Sequence, residues 1–521
     1  MDVVVGLDSG TTSTKAVAVA ADATVRSVAS VGYPLLVPEP GRAELDPHTL
    51  QQAAVAALTE VVRRSRDAGD RVTGISLCAA MHGLVPLDRD CQPLGPLATW
   101  ADARAAAEAR ELAEGSGGRL HARTGTPVHP MSPLAKLLWW REHEPEAFAT
   151  TARWGGVKEI TVAALCDTGF LVDESCASAT GLYDIDDRRW DPEALTLAGV
   201  STGQLAEVLP TTHVLPGLRP GVAREVGLPA DLPVVLGASD GTLANLGVGA
   251  TGPGVAAVSL GTSGAIRAAR SSPAVDPAGR LFCYPLTEGH WMVGGAINNA
   301  GSVVRWCAGA LGGGPPGAGP DGRHAGGGEE ARDAADARLL EEAAEVPAGS
   351  DGLLCLPYLL GERAPWWIPD LKGAWIGLRR DHGRGHLVRS AVEGVCQQLA
   401  LVQAALADAG VRITAVRATG GAVESPLWRA VLAANLGLPV DVAVSPEGTG
   451  TGAALLGYHA LGVLADLEDA AEMVKVEHGE APDPADVDLY ARMRPLVERS
   501  TRELAGTFAA LDAMRLPAAY L

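Results

Sequence analysis

Aromatic residues make up only 4% of this 521-residue chain, and patterns that mark several protein classes are missing from it. Basic residues are also scarce: 42 lysines and arginines face 62 aspartates and glutamates, for a net charge of −20. That balance argues against nucleic acid or an anionic membrane as the main partner. An anionic substrate would then need local basic groups to offset the global field. The eight cysteines (Cys78, Cys91, Cys166, Cys176, Cys283, Cys307, Cys355 and Cys396) include no C-x-x-C pair and no Cys/His ligand spacing. They read as buried thiols in a reducing compartment. No uncharged apolar stretch reaches membrane-spanning length, and no signal-peptide pattern precedes the first apolar run, so a soluble cytoplasmic protein is expected. Gly-x-x-x-x-Gly-Lys-Ser/Thr is absent as well; Gly10 to Lys15 carries a lysine at the wrong glycine spacing, so any phosphate site is not a Walker loop.

Three short stretches are informative. Asp8-Ser9-Gly10-Thr11-Thr12-Ser13 and Ser259-Leu260-Gly261-Thr262-Ser263-Gly264 each follow an apolar run, and the first also precedes one. That is the pattern of a β-hairpin with a tip of glycine and hydroxyl residues. Glycine lets successive backbone N–H groups approach a phosphate, and the hydroxyls add donors. One such tip is ordinary turn chemistry; two in separate halves of the chain point to a paired phosphate site. Between them, Gly237-Ala238-Ser239-Asp240-Gly241-Thr242 puts an aspartate after the buried strand Val234–Leu236, where open α/β sheets bind ligands. An isolated aspartate between two phosphate turns is placed to serve as the base of a kinase.

The length is too great for one core, and 47% hydrophobic residues suffice for two. Elements alternate: strands at Val3–Leu7, Ala16–Ala20 and Val72–Cys78, and helices at Pro47–Ala68, Asp102–Leu112 and Leu134–Glu142. After the glycine-rich interval 247–254 the order repeats. Hairpin strands at 255–267 and a strand near 291–294 lead to a helix from Ser302 and another near 386–408. A strand at Ala415–Thr419 and helices at 426–436 and 450–462 follow. The expected division is 1–250, 251–465 and a helical tail, 466–521, that packs on the body. The low-complexity stretch 312–328 reads as a mobile surface insertion.

Several motifs carry a family resemblance. They are Asp8–Lys15, Met81-His82-Gly83, Thr99-Trp100-Ala101-Asp102-x-Arg104, Gly377-Leu378, His386-Leu387-Val388-Arg389-Ser390-Ala391-Val392-Glu393 and Gly420-Gly421-Ala422. Over essentially its whole length the chain resembles the FGGY carbohydrate kinases, which implies two ribonuclease-H/actin-like α/β domains facing each other across a cleft. Ala79-Ala80-Met81-His82, the run Arg123 to Pro133, Ala296-Ile297-Asn298-Asn299 and Leu359 to Pro365 resemble the gluconate kinase branch; Gly83 is a xylulokinase-like choice. The implied reaction is phosphorylation of D-gluconate by ATP, with D-xylulose or another polyol as the alternative and a non-catalytic sugar sensor as the rival of another class. The resemblance makes Asp240 the catalytic base and Asp8 the Mg²⁺ residue. It gives Gly10, Thr11, Thr12, Ser13, Gly261 and Thr262 to the phosphates, with Lys15 open between a phosphate and a solvated role. Gly301, Arg305, Gly421 and Ser425 would border the nucleoside. Met81, His82, Asp102, His129 and Met131 would line the sugar pocket. A substrate carboxylate wants a cation, for which Arg104, His82, His129, Arg363 and Lys158 are candidates. Trp100, Trp139 and Trp140 read as core. A homodimer is compatible with the family.

Overall fold

Val3, Val4, Val5 and Leu7 are all fully buried, so the first strand is covered on both faces and must sit inside a sheet. In the computed structural model, which describes residues 1–311, 329–445, 447–479 and 481–514, it does. The glycine-rich stretch 312–328 lies outside the described residues. Strand Asp2–Ser9 pairs antiparallel with Ser13–Ala20 and parallel with Arg71–Ala79. Val234–Ser239 runs parallel beyond Arg71–Ala79, and Val25–Gly32 and Val214–Leu215 close the edges. The helix Pro47–Asp67 covers one face. Asp46 caps it by accepting from the amides of His48 and Thr49, a proline stands in its first turn, and Leu50, Ala54, Leu58 and Val61 face the sheet.

The second sheet repeats the plan. Val255–Leu260 pairs antiparallel with Gly264–Arg270 and parallel with Ala415–Thr419, and Val440–Ala443 continues parallel. His290–Ile297 and Phe282–Thr287 extend the antiparallel side. The result is the two-domain actin-like α/β fold. Helix Arg384–Asp408 runs through the core of the second half, buried almost continuously from Val388 to Val402. Its Arg389–Glu393 pair is structural: Glu393 accepts from Gly349 N, Ser350 Oγ, Arg389 Nε and Tyr490 Oη. Tyr490 belongs to the last helix, Pro484–Ala513, which is thereby tied to the body.

The two halves meet along two helices. Asp240–Gly247, continuing from the first sheet, packs on Gly448–Ala460, which also lies against four strands of that sheet. The backbones touch: a Cβ on Gly452 would stand 2.1 Å from the Leu243 carbonyl oxygen. Residues 80–233, between two strands of the first sheet, form short helices and ribbons, including the edge strand Val214–Leu215. One local expectation is corrected here. The alanine-rich helix begins at Ala106, not Asp102. The Asp102 carboxylate accepts from Ala43 N at 2.8 Å and from Arg104 N and Nε, which fixes a non-helical turn before the helix starts.

Candidate active site

Asp8 lies at the carboxyl end of its strand, and Asp240 opens the helix that follows Val234–Ser239. Strand Arg71–Ala79 separates the two, so both carboxylates emerge on the same sheet edge, one strand apart. Cys78, between them, donates its Sγ–H to Asp8 Oδ1 at 3.2 Å. Burial, reinforced by the charge of Asp240, pushes Asp8 up to about 6. Burial raises Asp240 as well, against the pull of the Gly241 amide, which donates to Oδ1 at 2.7 Å, and of the Arg267 guanidinium. Two carboxyls that both resist ionisation in one place form a site that favours an added cation or a proton.

Both expected hairpins form. In the first tip, Gly10 N donates to Ser13 O at 3.0 Å and Tyr33 Oη to Gly10 O at 2.7 Å, leaving Thr12 exposed. Lys15, on the next strand, pairs at 2.8 Å with Glu447, which stands at the start of helix Gly448–Ala460 and so bridges the two halves. In the second tip, Gly261 N donates to Ser263 O, with Gly261 and Thr262 exposed. The amides of Gly301 and Ser302 donate to the carbonyls of Gly261 and Thr262, seating the N-terminus of helix Gly301–Ala310 against this tip. Gly420 has φ 106°, and a Cβ there would stand 2.3 Å from Leu260 O, so only glycine lets strand Ala415–Thr419 end beside the same hairpin. Gly421 follows in a short turn, and Ser425 stands just before helix Pro426–Leu436 without a capping hydrogen bond. Arg305, on the Gly301 helix, is ion-paired to Asp336 at 2.8 Å.

On the sugar side, His82 takes a left-handed backbone (φ 66°), its Nδ1 lies 2.7 Å from Ala179 O, and its ring meets Tyr284 edge-on at 6.0 Å. His129 Nδ1 accepts from Met131 N at 3.2 Å, and its ring meets the edge of Trp367 at 5.6 Å. Both contacts cross between the halves. Burial, then the neighbouring cations, pulls both imidazoles down to about 3, so they are neutral. The methyl of Met81 crowds Gly241, next to Asp240. Met131 is buried, and its carbonyl, like that of His82, accepts from the Nζ of buried Lys136. Arg363 donates from Nη2 to Ile297 O at 3.0 Å and lies 4.9 Å over the ring of Trp100.

Three readings are corrected. Asp102 does not face an open pocket; both its oxygens are engaged by Arg104 and Ala43, and Arg104 is in turn held by Glu44. Lys158 is no free cation: its Nζ pairs with Asp173 at 3.0 Å and donates to the carbonyls of Leu77, Leu236 and Ala238. Burial opposes its charge, but Asp173, Cys176 and Cys78 together outweigh burial and hold the pKa above the ordinary value. Trp100 is half-buried beneath Arg363 rather than in the core. Arg267, Lys136 and Tyr284 were missed by motif reading. Arg267 had a signal, as the lone charge between Ala265-Ile266 and Ala268-Ala269 in a strand otherwise apolar to that point.

Sequence profiles of the FGGY family of carbohydrate kinases match the chain in both parts, the N-terminal domain over residues 3–247 and the C-terminal domain over 256–461. A gluconokinase of Bacillus subtilis (strain 168) is 36% identical over 505 residues, covering 96% of this chain and 95% of that protein. The crystal structure of gluconate kinase from Lactobacillus acidophilus superposes with a TM-score of 0.88 at 30% identity, over 98% of this chain and 99% of that one. A ligand-bound xylulose kinase from the same organism gives 0.89 at 29% identity, over 98% and 100%.

Proposed function

Because the chain belongs to the FGGY family of carbohydrate kinases, we propose that it transfers the γ-phosphoryl group of ATP to D-gluconate, giving 6-phospho-D-gluconate and ADP. The observation that carries the kinase chemistry is the placing of Asp8 and Asp240 one strand apart on the same sheet edge, beside one hydroxyl hairpin and facing the charge of Arg267 from the other. The preference for gluconate rests on the similarity to gluconokinases.

In this reading Asp240 accepts the proton of the attacking sugar hydroxyl. Phosphoryl transfer needs positioning more than a strong base, so a carboxylate suffices. Gly10, Thr11, Thr12, Ser13, Gly261 and Thr262 offer amides and hydroxyls to the β- and γ-phosphates. Lys15 holds the first hairpin to the second half through Glu447. Gly301, Gly421 and Ser425 border the nucleoside, with Arg305 fixed at the rim by Asp336. Met81, His82, His129 and Met131 wall the sugar, and the neutral imidazoles can exchange hydrogen bonds with its hydroxyls. Asp8 fits a Mg²⁺ ion, since a cation offsets both the burial and the Asp240 charge that oppose its ionisation, and one carboxylate suffices. Bound there, Mg²⁺ supplies charge neutralisation to the phosphates. A cytoplasmic location and a homodimeric state belong to the same reading, on the family resemblance alone; fractionation and light scattering check them. Among the described residues no helix is long and apolar enough to cross a membrane.

The test is ADP release with Mg-ATP and gluconate, xylulose, ribulose, glycerol or glucose. Turnover on gluconate above xylulose is expected. Asp240→Asn should lower kcat by about 10²- to 10⁴-fold while gluconate still binds. Preference for xylulose overturns the substrate, and full activity of the Asn variant overturns the base.

A further inference from the structure

The cations around the sugar pocket divide by what already holds them. Arg104 is bound by two carboxylates, Lys158 by Asp173 and three carbonyls, and Lys136 by two carbonyls, with burial pulling it down to about 7. His82 and His129 are neutral. Two guanidiniums differ. Arg267 and Arg363 are buried or half-buried, neither is in an ion pair among the described residues, and the Nε of each is shut away from water without a hydrogen-bond partner. Their charges oppose each other: that of Arg267 helps burial pull Arg363 down to about 10. Both feel Asp240.

Arg363 also feels Glu362, more strongly than Asp240, but that carboxylate is already engaged. The Glu362 carboxylate is turned onto the amides of Asn298 and Arg363 and the side chain of Asn299, and burial raises it to about 7. The cleft therefore holds two like-charged, incompletely bonded guanidiniums, Arg267 opposed by Asp240 and Arg363 by Glu362 and, more weakly, by Asp240. An unpaired buried N–H is costly, and two guanidiniums facing one cleft repel each other. One planar anion with several acceptor lone pairs relieves both costs. Beside these cations stand His129 Nε2, also buried without a partner, and the Tyr284 hydroxyl near Thr126, groups that suit a polyol chain.

We propose that Arg267 and Arg363 together form the seat for the substrate's carboxylate, so that the site selects sugar acids over neutral sugars of the same length. This rests on the sugar-acid reading above, and wild-type kinetics separate the two. If the wild-type chain turns over xylulose and ignores gluconate, the function and the seat both fall. If it turns over gluconate, the variants decide the seat alone.

The experiment is steady-state kinetics and gluconate titration of the full chain as wild type, R267Q, R363Q, R267K and R363K. D-Glucitol, which has a CH₂OH in place of the carboxylate, serves as the comparison ligand. Each Gln variant should raise KM for gluconate about 10- to 100-fold with KM for ATP within about twofold of the wild type. The Gln variants should bind gluconate no better than glucitol, and the Lys variants should recover part of the difference. Loss confined to kcat, or equal weakening of gluconate and glucitol, overturns the proposal and assigns the arginines to the transferred phosphoryl group or to the fold. Should a Gln variant not fold, the Lys variant reads the same gluconate-to-glucitol ratio.

Discussion

Replacing Glu159 by glutamine should stabilise the protein at alkaline pH, although it removes a charge from a partly buried helix cap. Glu159 stands at the third position of helix Val157–Leu165, and its Oε2 accepts from Gly156 N at 2.9 Å. Glutamine keeps that bond, since either residue completes this cap. What changes is ionisation. Burial, with Asp173 adding, raises the carboxyl from 4.5 to about 7. The folded state thus prefers the protonated acid. Its contribution to stability is present below about pH 4.5 and is lost as pH rises through about 7. At pH 8.5 the full penalty of ionisation is about 3.4 kcal/mol, at about 1.4 kcal/mol per tenfold change in acidity. Glu159 is partly exposed, which halves the figure to about 1–2 kcal/mol. The assay is thermal and urea unfolding of both proteins at pH 8.5 and 5.5. The variant should melt about 2–6 °C higher at pH 8.5, with an advantage less than half as large at pH 5.5, where the wild-type folded state holds the proton too. A variant less stable at pH 8.5, or an advantage that does not change with pH, would refute the assignment of the strain to the buried charge.

Two further substitutions test the frame that holds the cleft. Lys158→Met leaves Asp173 buried without its partner and three strand-end carbonyls without a donor, and should cost about 3–5 kcal/mol in urea unfolding. A loss under about 1 kcal/mol would mean that water replaces the ammonium. Gly452→Ala drives a methyl to 2.1 Å from the Leu243 carbonyl, with no flexible side chain to give way. It should force the two central helices apart and cost more than about 2 kcal/mol, with a rise in KM for both substrates, because the halves then no longer seat together. Unchanged stability and kinetics would show that the seam has slack.

What could be seen in the sequence follows from the range of the forces involved. The two hairpins were legible because a glycine-hydroxyl tip beside an apolar strand is a local pattern, and the turn hydrogen bonds that make it are closed within three residues. Asp240 was legible for the same reason, as the residue after the fully buried strand Val234–Ser239. The segment Val388–Glu393 was legible as a family mark. Its meaning was not, because Glu393 works by gathering Ser350 and Tyr490 from 43 and 97 residues away. Asp102 misled in the same way: its partners include the amide of Ala43, 59 residues earlier.

The cations of the cleft show most clearly where local reading stops. Arginine and lysine look alike in sequence whether they are spent or free, and the chemistry of an anion site depends on which are free. Lys158 sits in a short apolar helix and invites a functional reading, yet its Nζ closes the ends of strands Arg71–Ala79 and Val234–Ser239, about 80 residues to either side. Arg267 sits in a strand among alanines, where its charge is the one local signal and does not say what it faces. It gains its character from Gly241 and Asp240, brought opposite by the meeting of two sheets, and from the lack of any carboxylate within pairing distance among the described residues. Charge pairing is thus the step that turns a list of basic residues into a site. In this acidic chain, an arginine that lines the cleft and meets no carboxylate is the one to test for a substrate.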